Sequence, residues 1–69
     1  MTMTKVQIEA LKTEAMIKRV IYEGKQKTLK GLLDYGFEDQ EEISALRAEI
    51  KEAMRQWLEA EKALKEAKQ

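Results

Sequence analysis

Any chemistry in this chain must come from amines, guanidinium groups and carboxylates. The 69 residues include 13 Lys/Arg and 13 Asp/Glu, but no Cys and no His. The two side chains most easily tuned for nucleophilic or acid–base work near neutral pH are therefore missing. Ser44 is the only serine, and it falls on the outward side of its helical repeat with no base spaced to activate it. The pairs Glu41/Glu42 and Glu59/Glu61 have the composition for general acid–base catalysis, which needs carboxyl groups converging on a cleft. On open helix faces they read as solubilising charges. Gly24, Gly31 and Gly36 lie too far apart to cradle a phosphate. No loop has the ligand spacing of a calcium site. These patterns predict no enzyme, no catalytic residue, no metal site and no cofactor.

The basic residues form the strongest binding pattern. Lys5, Lys12 and Arg19 are seven apart, while Lys18, Lys25, Lys27 and Lys30 crowd the stretch that follows. Lys5, Lys12, Arg19, Lys25, Lys27 and Lys30 are the candidates for an RNA or DNA backbone. With Tyr22 and Thr28, residues 22–31 could instead line pockets between copies of the chain and hold a small anionic nucleotide. Arginine is scarce, however, and the net charge is zero, whereas dedicated nucleic-acid binders are basic and rich in Arg. Residues 1–35 carry a balance of +3 and residues 36–69 a balance of −3. Two antiparallel helices of opposite sign would account for that split without any ligand.

Those charges are carried on helices. From Ile43 to Ala67 a heptad repeat runs unbroken, with Ile43, Ile50, Trp57 and Leu64 at a and Leu46, Ala53, Ala60 and Ala67 at d. Such a seam is built to meet another helix. Upstream, Thr4 and Gln7 have capping-box spacing and start a helix that reaches Tyr35. Gly36 suits the left-handed residue after a helix end, with Phe37 folding back on Leu32 or Leu33. Asp39 caps the second helix. Its acidic start (Glu38, Asp39, Glu41, Glu42) and its lysine-rich end (Lys62, Lys65, Lys68) both suit the helix dipole. The predicted fold is an all-α antiparallel hairpin in one domain: a helix over 4–35, a turn over 36–38 and a helix over 39–67. Gly24 could break the first helix, and the continuous form is the expectation here.

The first helix has two apolar faces. One contains Val6, Ala10, Ile17, Val20, Ile21, Gly24 and Gly31, and the other Ile8, Leu11, Ala15, Tyr22 and Leu29. A surface helix needs only one. Two faces imply two neighbours, one within the chain and one supplied by a second copy. A chain this short usually needs self-association when disulfides and metals are absent. The expected oligomer interface is therefore Val6, Ala10, Ile17, Val20, Ile21, Gly24, Gly31 and Trp57, joining a dimer into a four-helix bundle. Trp57 is expected to fill the seam opposite a small residue such as Ala or Gly.

The functional expectation is a non-enzymatic interaction module that acts as a homo-oligomer and binds and regulates or inhibits a larger host protein. Its size and bare equipment suit an accessory protein of a phage or other mobile element. Tyr35, Phe37, Asp39, Met54 and Leu58 are the candidate contacts for that partner. Lack of Cys fits a reducing compartment. With no signal-like or membrane-spanning apolar run, a cytoplasmic location is expected.

Overall fold

The computed structural model describes residues 3–68 as two helices, α1 (Lys5–Asp34) and α2 (Gln40–Ala67), packed against each other as a hairpin. Local chemistry sets each boundary. The Thr4 hydroxyl accepts from the Gln7 backbone N–H at 3.2 Å, and the Gln7 side chain accepts from the Thr4 N–H at 2.9 Å. At the other end of α1, the Phe37 N–H donates to the Leu32 carbonyl and the Gly36 N–H to that of Leu33, both at 3.0 Å. This Schellman pair needs a left-handed residue between helix and turn, and Gly36 supplies it at φ +81°. The Asp39 carboxylate then caps α2, accepting from the N–H groups of Glu41 (3.1 Å) and Glu42 (3.3 Å).

Helix α1 runs through Gly24 without a break. Thr28 donates its hydroxyl to the Gly24 carbonyl at 3.0 Å within the continuous turn. Neither Gly24 nor Gly31 serves close packing within the hairpin, because a Cβ built on either would meet nothing within 4 Å.

The eight seam positions of α2 are all buried or half-buried, as the heptad repeat requires. Of the two faces on α1, the Ile8 face turns toward α2. It also forms a heptad repeat, with Ile8, Ala15, Tyr22 and Leu29 at a and Leu11, Lys18, Lys25 and Leu32 at d, all at least half-buried. The two lysines lay their aliphatic stems along the seam and carry their charges out to one flank. There Lys18 Nζ donates to Gln56 Oε1 at 3.2 Å, and Lys25 Nζ lies 3.3 Å from Glu49 Oε1. These cross-links set Lys18 level with Trp57, Tyr22 with Ala53, and Lys25 with Ile50.

One expectation about the core needs correcting. Trp57 does not sit opposite Ala or Gly; it stacks on Tyr22, with ring centroids 5.5 Å apart and planes 18° from parallel. The small residue is Ala53, 7% exposed and level with Tyr22, which leaves room for both rings. Trp57 thus fills the seam within one chain, whereas the other proposed interface residues of α1 lie on its outer face.

The molecule is 51 Å long and only 15 by 12 Å across. A rod that thin has almost no interior, and Ala15, Leu29, Ile43 and Ala53 are the buried residues among those described. The chain exposes 5671 Å². A compact globular chain of 8.0 kDa exposes about 4,450 Å².

Candidate interaction surfaces

The outer faces of the two helices differ sharply. On α2 the side away from the seam is laced with charge. Arg55 joins both Glu52 and Glu59 there, at positions three and four residues apart. The Arg55 guanidinium, helped by the Gln56 amide, holds the Glu52 carboxyl down at about 2, from an ordinary 4.5. The Arg55 guanidinium is in turn pushed further into its charged form, chiefly by its hydrogen bonds to Glu52. This face is satisfied in water.

On α1 the outer side is apolar. Met3, Val6, Ala10, Thr13, Ile17, Val20 and Gly24 follow the alternating spacing of three and four that defines a helix-packing seam, and none is charged. Val6 is 79% exposed, Val20 62% and Ile17 52%. Met16 and Ile21 widen the same face and are also exposed. The row next reaches Lys27, which ends its uncharged stretch, and then Gly31, which is half-buried. Within the hairpin this second seam has no partner among the described residues.

The flanks of the hairpin carry opposite charge. With α1 and α2 antiparallel, the e and b positions of both helices fall on one flank and the g and c positions on the other. The e and b positions hold eight Lys/Arg and three Asp/Glu, whereas the g and c positions hold six Glu and no Lys or Arg. Zero net charge therefore conceals a basic flank and an acidic flank. The split lies across the hairpin rather than between its two helices.

The basic flank contains a groove of about 780 Å³ near the turn. Leu29, Leu33 and Ile50 form its floor, and Lys27, Lys30 and Arg47 its basic rim. Among the described residues, none of these three cations lies within ion-pair distance of a carboxylate. The acidic start of α2 therefore leaves Lys27 and Lys30 unneutralised. Glu23 also lines the groove, but Arg19 holds it at 2.9 Å. Further along the flank Met54 and Leu58 are exposed, the latter by 51%.

Of the six basic candidates Lys5, Lys12, Arg19 and Lys30 share the basic flank, with Lys27 at the groove rim, but they are not equally available. Lys12 pairs with Glu9 at 3.5 Å, Arg19 with Glu23, and Lys25 is drawn into the seam by Glu49. Lys5 lies near the far end of the rod, leaving Lys27 and Lys30 as neighbours. Arg47 joins them from α2 and was absent from the sequence-derived set. It occupies an e position, so the signal was present: once α1 is in register, its e positions share that flank. Of the candidate partner contacts, Tyr35 stands 94% exposed at the turn and Phe37 is at the edge of exposure. The Asp39 carboxylate is already engaged as the α2 cap.

Among the described residues no group of His, Cys, Asp and Glu could hold a metal ion, and no helix is long and apolar enough to cross a membrane. Comparison with protein-family models, curated proteins and solved structures gives no match to this chain.

Proposed function

We propose that the chain is a non-enzymatic interaction module that works as a homodimer, joined through the outer face of α1 into a four-helix bundle, and that this dimer binds and regulates a larger protein. The carrying observation is the uncharged seam from Met3 to Gly24. A heptad row with Val6, Ile17 and Val20 open to water matches the cost structure of an interface rather than of a solvated helix. The excess of roughly 1,200 Å² over a compact chain of equal mass is comparable to the lower end of what specific protein interfaces bury. Small residues at Ala10 and Gly24 allow two α1 helices to approach closely. Rigid paired helices then present the flanks and the Tyr35 turn to the partner with little ordering cost.

Nucleic acid or a small anionic nucleotide is the alternative reading, and Lys27, Lys30 and Arg47 favour it. Their arrangement around an apolar floor suits a phosphate backbone less well than an amphipathic ligand.

Native mass spectrometry at low micromolar concentration tests the assembly. The wild-type chain should be dimeric. Val20→Glu should yield a helical monomer, because Val20 makes no seam contribution within the hairpin. A wild-type chain that stays monomeric and folded would overturn the proposal.

A further inference from the structure

We infer that the groove on the basic flank is a docking site for an acidic amphipathic helix of the partner protein, laid along the hairpin as a third helix. The inference rests on the interaction-module reading above and specifies its partner chemistry. The shape comes first. The space between two antiparallel helices is a straight channel, and a helix is the ligand whose side-chain rows match such a channel. Its floor is aliphatic, from Leu29, Leu33 and Ile50. Beyond the groove Met54 and Leu58 continue the strip at intervals of four residues, so Ile50, Met54 and Leu58 span about 12 Å along α2. That is the repeat an incoming helix meets with apolar residues at i, i+3, i+4 and i+7.

Charge selects the occupant. Lys27, Lys30 and Arg47 rim the floor with no ion pair of their own among the described residues. Cations beside an aliphatic floor favour a ligand with acidic edges and an apolar ridge. Nucleic acid would offer phosphates to the rim but nothing to the Leu29–Leu33–Ile50 floor. The face also displays no open aromatic platform, since Tyr22 and Trp57 stack on each other in the seam.

The test uses the full chain and a fluorescent peptide of about 18 residues, roughly 27 Å as a helix, with Leu at i, i+3, i+4 and i+7 positions and Glu elsewhere. Anisotropy should report saturable binding. A Lys-for-Glu version should not bind. Lys30→Glu with Arg47→Glu should weaken binding by about tenfold or more, as reversal of rim charges does at complementary interfaces. Leu33→Ala should weaken it while leaving salt dependence intact. Val20→Glu should leave peptide affinity unchanged while abolishing the dimer, so failure of the assembly and failure of the groove are read separately. The inference is overturned if the Glu peptide does not bind, or if the double reversal leaves its affinity unchanged. It is also overturned if single-stranded RNA binds the wild type tightly while the peptide does not. Loss of the dimer in Lys30→Glu/Arg47→Glu would overturn it too, by showing that a second copy occupies the groove.

Discussion

The Tyr22 and Trp57 rings stack across the hairpin with centroids 5.5 Å apart, one on each helix and one layer out of level. The stack joins one large ring from each helix at mid-seam. Trp57 also donates its indole N–H to Glu61 Oε1 at 3.1 Å, so its polar edge is satisfied at the basic flank. In a rod with few buried side chains, the stack does the work that a core performs in a thicker domain.

Trp57→Ala is accordingly expected to cost about 2–4 kcal/mol, scaled down from full burial because the ring is only half covered. Trp57→Phe should recover most of that loss by keeping a ring over Tyr22. Urea unfolding followed by far-UV circular dichroism measures both. Equal losses for Ala and Phe would show that the indole N–H, rather than the stack, carries the effect.

The glycines separate folding from assembly. Gly24 and Gly31 lie inside α1, and a Cβ on either meets nothing within 4 Å. Gly24→Ala should therefore stabilise the isolated hairpin by up to about 1 kcal/mol through helix propensity. In the proposed dimer the same methyl enters the close approach of two α1 helices and should weaken association. Thermal unfolding of the Val20→Glu monomer, with and without Gly24→Ala, reads the first effect, and analytical ultracentrifugation of Gly24→Ala alone reads the second. Gly36→Ala should behave oppositely to Gly24→Ala in the monomer. At φ +81° the added Cβ is strained, for a loss of about 1–2 kcal/mol.

How much of this was legible without coordinates depends on the helix. In α2 no charge interrupts the a and d positions from Ile43 to Ala67, so the seam, its cap at Asp39 and its end could be read directly. In α1 both faces were visible, but their assignment was not. The inner face carries Lys18 and Lys25 at two d positions, whereas the outer face is uncharged from Met3 to Gly24. Apolar count does not decide between them, since both faces carry a comparable number of apolar residues. The structure places the lysine-bearing face inward because lysine stems can lie along a seam while their amines reach Gln56 and Glu49 at its edge. Until the register of α1 is known, the basic flank and the Lys27–Lys30–Arg47 rim are invisible, since their members come from both helices. The difference of charge between the two halves of the chain pointed to pairing between helices, yet among the described residues Lys25–Glu49 is the single ion pair that joins them.

Acid should break the Glu52–Arg55 pair only at very low pH. The Glu52 carboxyl titrates at about 2 in the folded chain, against 4.5 for an unperturbed one. A lowered folded-state value means that the ionised form is favoured by folding. The contribution is complete above the unfolded value and disappears as pH falls through about 2. Glu52 lies on the exposed face, so its effect on global stability is small and the direct readout is its own titration. Carbon-detected NMR of the Glu52 carboxyl should show a midpoint far below the 4.5 of an unperturbed carboxyl. In Arg55→Gln the midpoint should return toward 4.5, and a midpoint unchanged by that substitution would contradict the assigned cause.

The seam lysines test whether the hairpin trades stability for register. Lys18 and Lys25 occupy d positions where Leu would bury more apolar surface, and each ties α1 to one g position of α2. Polar residues at single core positions of coiled coils fix alignment at a cost in stability. The Lys25–Glu49 pair is itself largely exposed, so it adds little free energy. Lys18→Leu with Lys25→Leu should therefore raise stability by about 1–3 kcal/mol from added apolar burial. For a domain of this size that corresponds to a rise in Tm of roughly 4 °C or more. The same double variant should lose uniqueness. Leu at those positions lets α2 slide by a heptad or exchange partners between chains, and native mass spectrometry should show species beyond the wild-type oligomer. If instead the double variant unfolds at lower temperature, the two cross-links contribute more to folding than the aliphatic gain, and their role is holding the hairpin shut rather than setting its alignment.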